Sequence, residues 1–196
     1  MPEIKIIENT SEIGAGTRGS SLGIGALKVV ARQRKEDFFG EYERFYVENQ
    51  NDILDFPTAY PHAKHIDGLA EVYQSTVDIV DFVFRTNGFP LVLSGDHSCS
   101  AGTIAGIKKA HPNKRLGVIW IDAHADLHTP YTTPSGNIHG MPLAVVLGDD
   151  NLENGVNEPN EEVVKMWESL KNIGSPSPKI LSEDLVFISV RDTEKP

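Results

Sequence analysis

The sequence predicts an α/β fold, a three-layer α/β/α arrangement around a mainly parallel sheet. Three observations predict it. Short apolar runs at residues 91–94, 116–121 and 185–190 alternate with segments of helical apolar spacing. Ionisable side chains gather directly behind two of these runs, at the strand ends where open parallel sheets bind ligands. At 196 residues the chain can bury a substantial core, and residues 1–196 read most simply as a single domain.

The elements follow in order. Residues 4–7 form a first strand, and the glycine-dense stretch 14–23 reads as a loop. That loop lacks the Gly-Lys-Ser/Thr ending of a P-loop, and its Gly14-x-Gly16-x-x-Gly19 letters open no clear helix. Residues 24–34 read as a helix. Residues 65–86 give the clearest one, with Leu69, Val72, Tyr73, Val77, Val80, Val83 and Phe84 recurring at helical spacing. Asn87-Gly88-Phe89-Pro90 ends it and leads into the strand at 91–94. Residues 98–110 form the next helix, with Ser98 a candidate N-cap. The run 116–121 reads as a buried parallel strand, and residues 127–137 as a long polar loop of the kind that carries function. Residues 138–147 suggest a short buried helix, 148–160 an exposed acidic loop, 161–172 an amphipathic helix and 185–190 the last strand.

Composition excludes several roles. A net charge of −10 argues against general nucleic-acid affinity, which needs clustered Lys and Arg. No apolar run reaches membrane-spanning length, and the N-terminus lacks the apolar core of a signal peptide. The one cysteine, Cys99, excludes an intrachain disulfide. A soluble, cytoplasmic location with no membrane contact is the resulting expectation.

The chemistry concentrates in Asp122-Ala123-His124-Ala125-Asp126, directly behind the strand at 116–121. Three ionisable groups at every second position are costly to bury unless something offsets their desolvation. Carboxylates and imidazoles without thiolates favour harder or borderline divalent ions such as Mn²⁺. Gly95-Asp96-His97-Ser98 stands behind the strand at 91–94 in the same way. His97 falls near Asp122 if the two strands are sheet neighbours, and glycine before Asp-His suits a sharp turn. Either cluster alone is weak, since Asp-x-His is often a solvated loop and Asp96-His97 a turn or cap. Their conjunction points to one shared site. Of the seven histidines, His97, His124, His128 and His139 fall in the site region, while His62, His65 and His111 read as surface residues.

These segments resemble the ureohydrolase family, arginases most closely. The likeness continues through Thr132-Thr133-Pro134-Ser135-Gly136-Asn137-Ile138-His139-Gly140 and runs to Arg191-Asp192, over essentially the whole chain. It implies an arginase-like fold, incomplete on its C-terminal side, with two Mn²⁺ ions activating a bridging hydroxide. The reaction implied is hydrolysis of L-arginine to L-ornithine and urea. On this resemblance His97, Asp122, His124 and Asp126 are metal ligands, Asp126 also belongs to the catalytic centre, and His139 shuttles protons near the leaving amine. Ser135 and Asn137 contact the amino-acid end of the substrate. His128 stands where arginases commonly have a substrate-contacting Asn, and Glu194 where an aspartate holds the substrate amino group. Assembly as a homotrimer or hexamer is implied for the full-length protein.

Two metals about 3.5–4 Å apart can deprotonate a water near neutral pH, and carboxylates suit a cationic guanidinium. Arginases carry a further Asp-x-Asp pair on a later strand, beyond residue 196, and a later glutamate that contacts the guanidinium. Lacking them, this chain alone is expected to hold a partial site and to show little or no turnover. Competing readings are an agmatinase or other guanidino hydrolase, a non-catalytic arginase-like fragment, and an unrelated metal-dependent hydrolase such as a deacetylase of similar architecture. The loop at residues 135–140 argues against the last.

Overall fold

A computed structural model describes residues 2–191. Glu194, named above as a substrate contact, lies outside the described residues. Eleven helices and strands follow in order: β1 (Glu3–Asn9), α1 (Leu22–Gln33), α2 (Phe38–Glu41), β2 (Glu43–Val47), α3 (Ile66–Arg85), β3 (Gly88–Ser94), α4 (Cys99–Ala110), β4 (Val118–Ile121), α5 (Pro142–Leu147), α6 (Glu161–Asn172) and β5 (Leu185–Ile188). Short 3-10 turns connect some of them.

Every strand pairing among the described residues is parallel. β1 lies between β2 and β3, with Ile7 opposite Phe45 on one side and Val92 on the other. Its Ile6 and Ile7 are fully buried, as two-sided covering of a central strand requires. Among the described residues β4 pairs only with β5, Ile121 opposite Ile188. β3 and β4 therefore belong to separate sheets, and hydrogen bonding does not make the two site strands neighbours. Their carboxyl ends converge through side chains instead.

α3 is held by its apolar stripe: Leu69, Val72, Tyr73, Val77, Val80 and Val83 are all buried. It packs against α4, β3 and α6. α6 starts where Asn160 Oδ1 accepts the Val163 amide at 2.9 Å, an N-cap that satisfies one of the free donors of the first turn. It buries Val163, Trp167 and Leu170.

Three expectations change. β4 is not a buried strand: Trp120 is covered, but Ile119 and Ile121 are 68% and 72% exposed. An unbroken apolar run signals covering on both faces, and the described chain covers only one. His65 is not a surface residue; it sits buried in a left-handed conformation at the start of α3, and burial lowers its imidazole below the ordinary value. Asp150 is not a solvated loop residue either, because its carboxylate accepts Trp167 Nε1 at 2.7 Å and Lys171 Nζ at 2.6 Å.

Candidate metal centre

β3 delivers Gly95-Asp96-His97 and β4 delivers Asp122 to one place. Gly95 is needed there for space rather than for unusual backbone angles: a Cβ at this residue would stand 2.4 Å from the Ser11 carbonyl oxygen. Its amide donates to Asn9 O at 2.8 Å, holding the turn on the end of β1. Asp96 does not point into the cluster. Its Oδ2 accepts the amides of Gly14 and Ala15 at 2.9 and 3.3 Å, and its Oδ1 the amide of Ser98 at 2.8 Å. Burial raises the Asp96 carboxyl, opposed by these amide donors. Ser98, expected as a side-chain cap, occupies the N-cap position of α4 without a capping bond, and Asp96 serves its amide instead.

His97, Asp122 and Asp126 form the cluster. His97 Nδ1 lies 3.0 Å from Asp122 Oδ2 and 2.8 Å from Asp126 Oδ2. One ligand atom from each falls within 4.8 Å of the others. The His97 ring stacks on Trp120, centroids 4.4 Å apart and planes 11° from parallel, which fixes the imidazole plane. Asp126 has φ of +49°, a left-handed backbone state that costs energy and recurs at functional sites. Leu143 donates its amide to Asp126 O at 3.1 Å, so the start of α5 holds that backbone in place.

The electrostatics suit a cation. The Asp126 carboxylate raises the His97 imidazole above its ordinary value, against the effect of burial. Burial pushes the Asp122 carboxyl up, yet the His124 amide and the neighbouring imidazoles hold it below its usual range. Asp126 Oδ2 is buried and, despite its 2.8 Å approach to His97, makes no hydrogen bond of acceptable geometry. A buried carboxylate oxygen left so is costly in an apolar setting and is a ready ligand for a divalent ion.

The remaining site residues stand around this cluster. His124 is 63% exposed, with Nδ1 3.4 Å from Asp122 Oδ1, beside the three-residue group rather than within it. His128 Nδ1 is 3.3 Å from Thr132 Oγ1, and its amide donates to Gly140 O. Ser135 is exposed, and its Oγ accepts the Asn137 amide at 3.2 Å. Asn137 Oδ1 is buried without a hydrogen-bond partner and faces Gly16. His139 is exposed and gives its amide to Gly14 O at 3.0 Å. Through Gly14, which also donates to Asp96, the glycine-rich loop links the 135–139 loop to the His97 turn. Local spacing pointed to a turn or cap at Asp96, which its bond from the Ser98 amide bears out, but not to its bonds from Gly14 and Ala15 or to the stacking of Trp120 on His97, because those partners are distant in sequence.

Parallel strands whose carboxyl ends gather imidazole and carboxylate groups define an α/β protein with a candidate divalent-metal centre. The Arginase family model matches residues 4–195. An arginase from Brevibacillus brevis is 37% identical over 202 residues, covering 98% of this chain and 58% of that protein. One from Bacillus caldovelox is 35% identical, covering all of this chain and 60% of its own length. The crystal structure of an arginase from Bacillus cereus superposes with a TM-score of 0.73 at 31% identity, over 98% of this chain and 58% of that one. The chain belongs to the Arginase family, and it spans less than two thirds of the length of these relatives.

Proposed function

We propose that this chain carries part of the active site of a Mn²⁺-dependent hydrolase that converts L-arginine to L-ornithine and urea. The observation that carries the reading is the His97–Asp122–Asp126 cluster, with the Asp126 Oδ2 buried beside the His97 imidazole, set at strand ends in a chain of this family. His97, Asp122 and Asp126 would hold the metal, and His124, beside them, would complete this chain's share of a two-metal site. Mn²⁺, when bound, supplies the charge that makes water nucleophilic near neutral pH. The carboxylates also attract the cationic guanidinium. Asn137 and Ser135 would donate, from Nδ2 and Oγ, to the carboxylate at the substrate's amino-acid end, with His128 beside them. His139, exposed on the same loop, would move a proton to the leaving amine.

The loop that bears Ser135 and Asn137 favours L-arginine over agmatine, which lacks the carboxylate they would meet. A soluble, cytoplasmic protein assembled from identical subunits, with residues 1–196 forming part of one ureohydrolase domain, belongs to the same proposal. Among the described residues no helix is long and apolar enough to cross a membrane.

The test is urea release by the protein as its source produces it, with Mn²⁺ and with L-arginine or agmatine. The expected outcome is Mn²⁺-dependent release from L-arginine at least about tenfold faster than from agmatine, the discrimination that roughly one well-placed polar contact supplies. Faster release from agmatine, or none from either, would overturn the reading.

A further inference from the structure

We propose that Asn157 is a positioning residue that clamps the 129–137 loop and so places Ser135 and Asn137 for an amino-acid ligand; this rests on the reading above. The loop contains Pro130 and Pro134 and forms no helix or strand, so much of its backbone must find hydrogen-bond partners elsewhere. Asn157 provides them. Its Nδ2 donates to Thr133 O at 2.7 Å and to Pro130 O at 3.2 Å, spanning the turn between the two carbonyls. Its amide and that of Val156 both donate to Tyr131 O, at 2.9 and 2.8 Å. Three successive anchor points on the loop are thus served by two residues.

The clamp is itself fixed from the core. Thr129 Oγ1 donates to Asp150 O at 2.9 Å, and the Asp150 carboxylate takes bonds from Trp167 and Lys171. Trp167 is fully buried in α6. Apolar packing does not explain the attachment of the 152–157 segment, because Leu152 and Val156 are 64% and 78% exposed. Polar contacts hold it. On its far side the loop meets residues 61–64: Lys64 donates to Gly136 O at 2.8 Å, and a Cβ on Gly136, whose φ is +76°, would lie 1.9 Å from Pro61 O. The loop therefore sits between these two backbones, and Asn157 reaches it from the 152–157 segment. Thr133 Oγ1 passes that position onward by accepting the Ser135 and Gly136 amides.

Asn157→Asp keeps the shape and removes both donors, and Asn157→Ala removes the group without adding charge. Two readouts are compared in the protein as its source produces it: amide hydrogen exchange, and Mn²⁺-dependent kinetics with L-arginine. In both variants, exchange at residues 131–137 is expected to quicken about tenfold, the loss of roughly one net hydrogen bond. The KM for L-arginine should rise about tenfold while kcat changes less than about twofold, with Mn²⁺ affinity and exchange in α3 unchanged. Unchanged exchange at 131–137, or equal acceleration in α3 and α4, overturns the proposal. Accelerated loop exchange in a protein whose unsubstituted form does not hydrolyse L-arginine supports the clamp and overturns the arginine reading.

Discussion

A single left-handed residue does much to organise the candidate metal centre. Asp126 turns the chain five residues beyond the end of β4 and leaves a carboxylate oxygen buried beside His97, where a stacked indole holds the imidazole plane. The cost of that strain and burial falls on a few side chains. Lys179 is the other residue whose charge is badly placed. It is 2% exposed, and its ammonium donates to the carbonyls of Lys171 and Ser175 at the end of α6. Burial lowers it from 10.5 to about 8. Between these values the unfolded chain keeps the proton and the folded chain does not, so stability rises with pH across that window. Below about pH 8 both states are charged and the fold bears the full penalty. Denaturant unfolding of the native protein and of Lys179→Met should show their stability difference shifting in favour of the native residue by roughly 3 kcal/mol between pH 8 and 10.5. A difference that stays flat over that range would contradict this account of Lys179.

At the scale of elements, long periodic segments were legible and short ones were not. The helix expected over 65–86 is α3, Ile66–Arg85, because seven buried apolar residues repeat along one face. α1, α4 and α6 also fall within two residues of expectation. β2 escaped notice: Glu43-Arg44-Phe45-Tyr46-Val47 mixes charge with apolar residues and becomes a strand only by pairing with β1. The helix expected over 138–147 divides into a 3-10 turn and α5, as Pro142 cannot continue a helix from the preceding turn but starts one well. In the candidate site, the gathering of His97, Asp122 and Asp126 was legible because their segments follow apolar runs. The support of the loop by Asp150 and Asn157 was not, since it joins residues 17 to 27 positions apart through bonds that no local pattern announces. His65 misled for a related reason: a polar, turn-rich neighbourhood reads as surface, yet α3 packs it inward.

Across the whole molecule, the main departure from a closed α/β sheet is the division into β2-β1-β3 and β4-β5. Ile119 and Ile121 on β4 and Val186 and Ile188 on β5 present an apolar surface to solvent, all 45% exposed or more. Parallel strands with an uncovered apolar face pair readily with other chains. The 196-residue chain by itself should therefore bind a hydrophobic dye and self-associate on size-exclusion chromatography, and Ile119→Lys with Ile121→Lys should reduce both. A monodisperse monomer with no dye binding would contradict that surface assignment. The candidate metal centre depends on the same architecture, since His97 behind the end of β3 and Asp122 behind the end of β4 meet through their side chains without a hydrogen-bonded ladder between the two strands. The central claim is that His97, Asp122 and Asp126 hold a divalent ion at those ends. The most direct measurement is a Mn²⁺ titration followed by electron paramagnetic resonance on the native protein, on Asp126→Asn and on His97→Ala. The account predicts binding by the native protein and at least about tenfold weaker binding in each variant, the loss of roughly one ligand's contribution. Equal Mn²⁺ affinity in all three would contradict it.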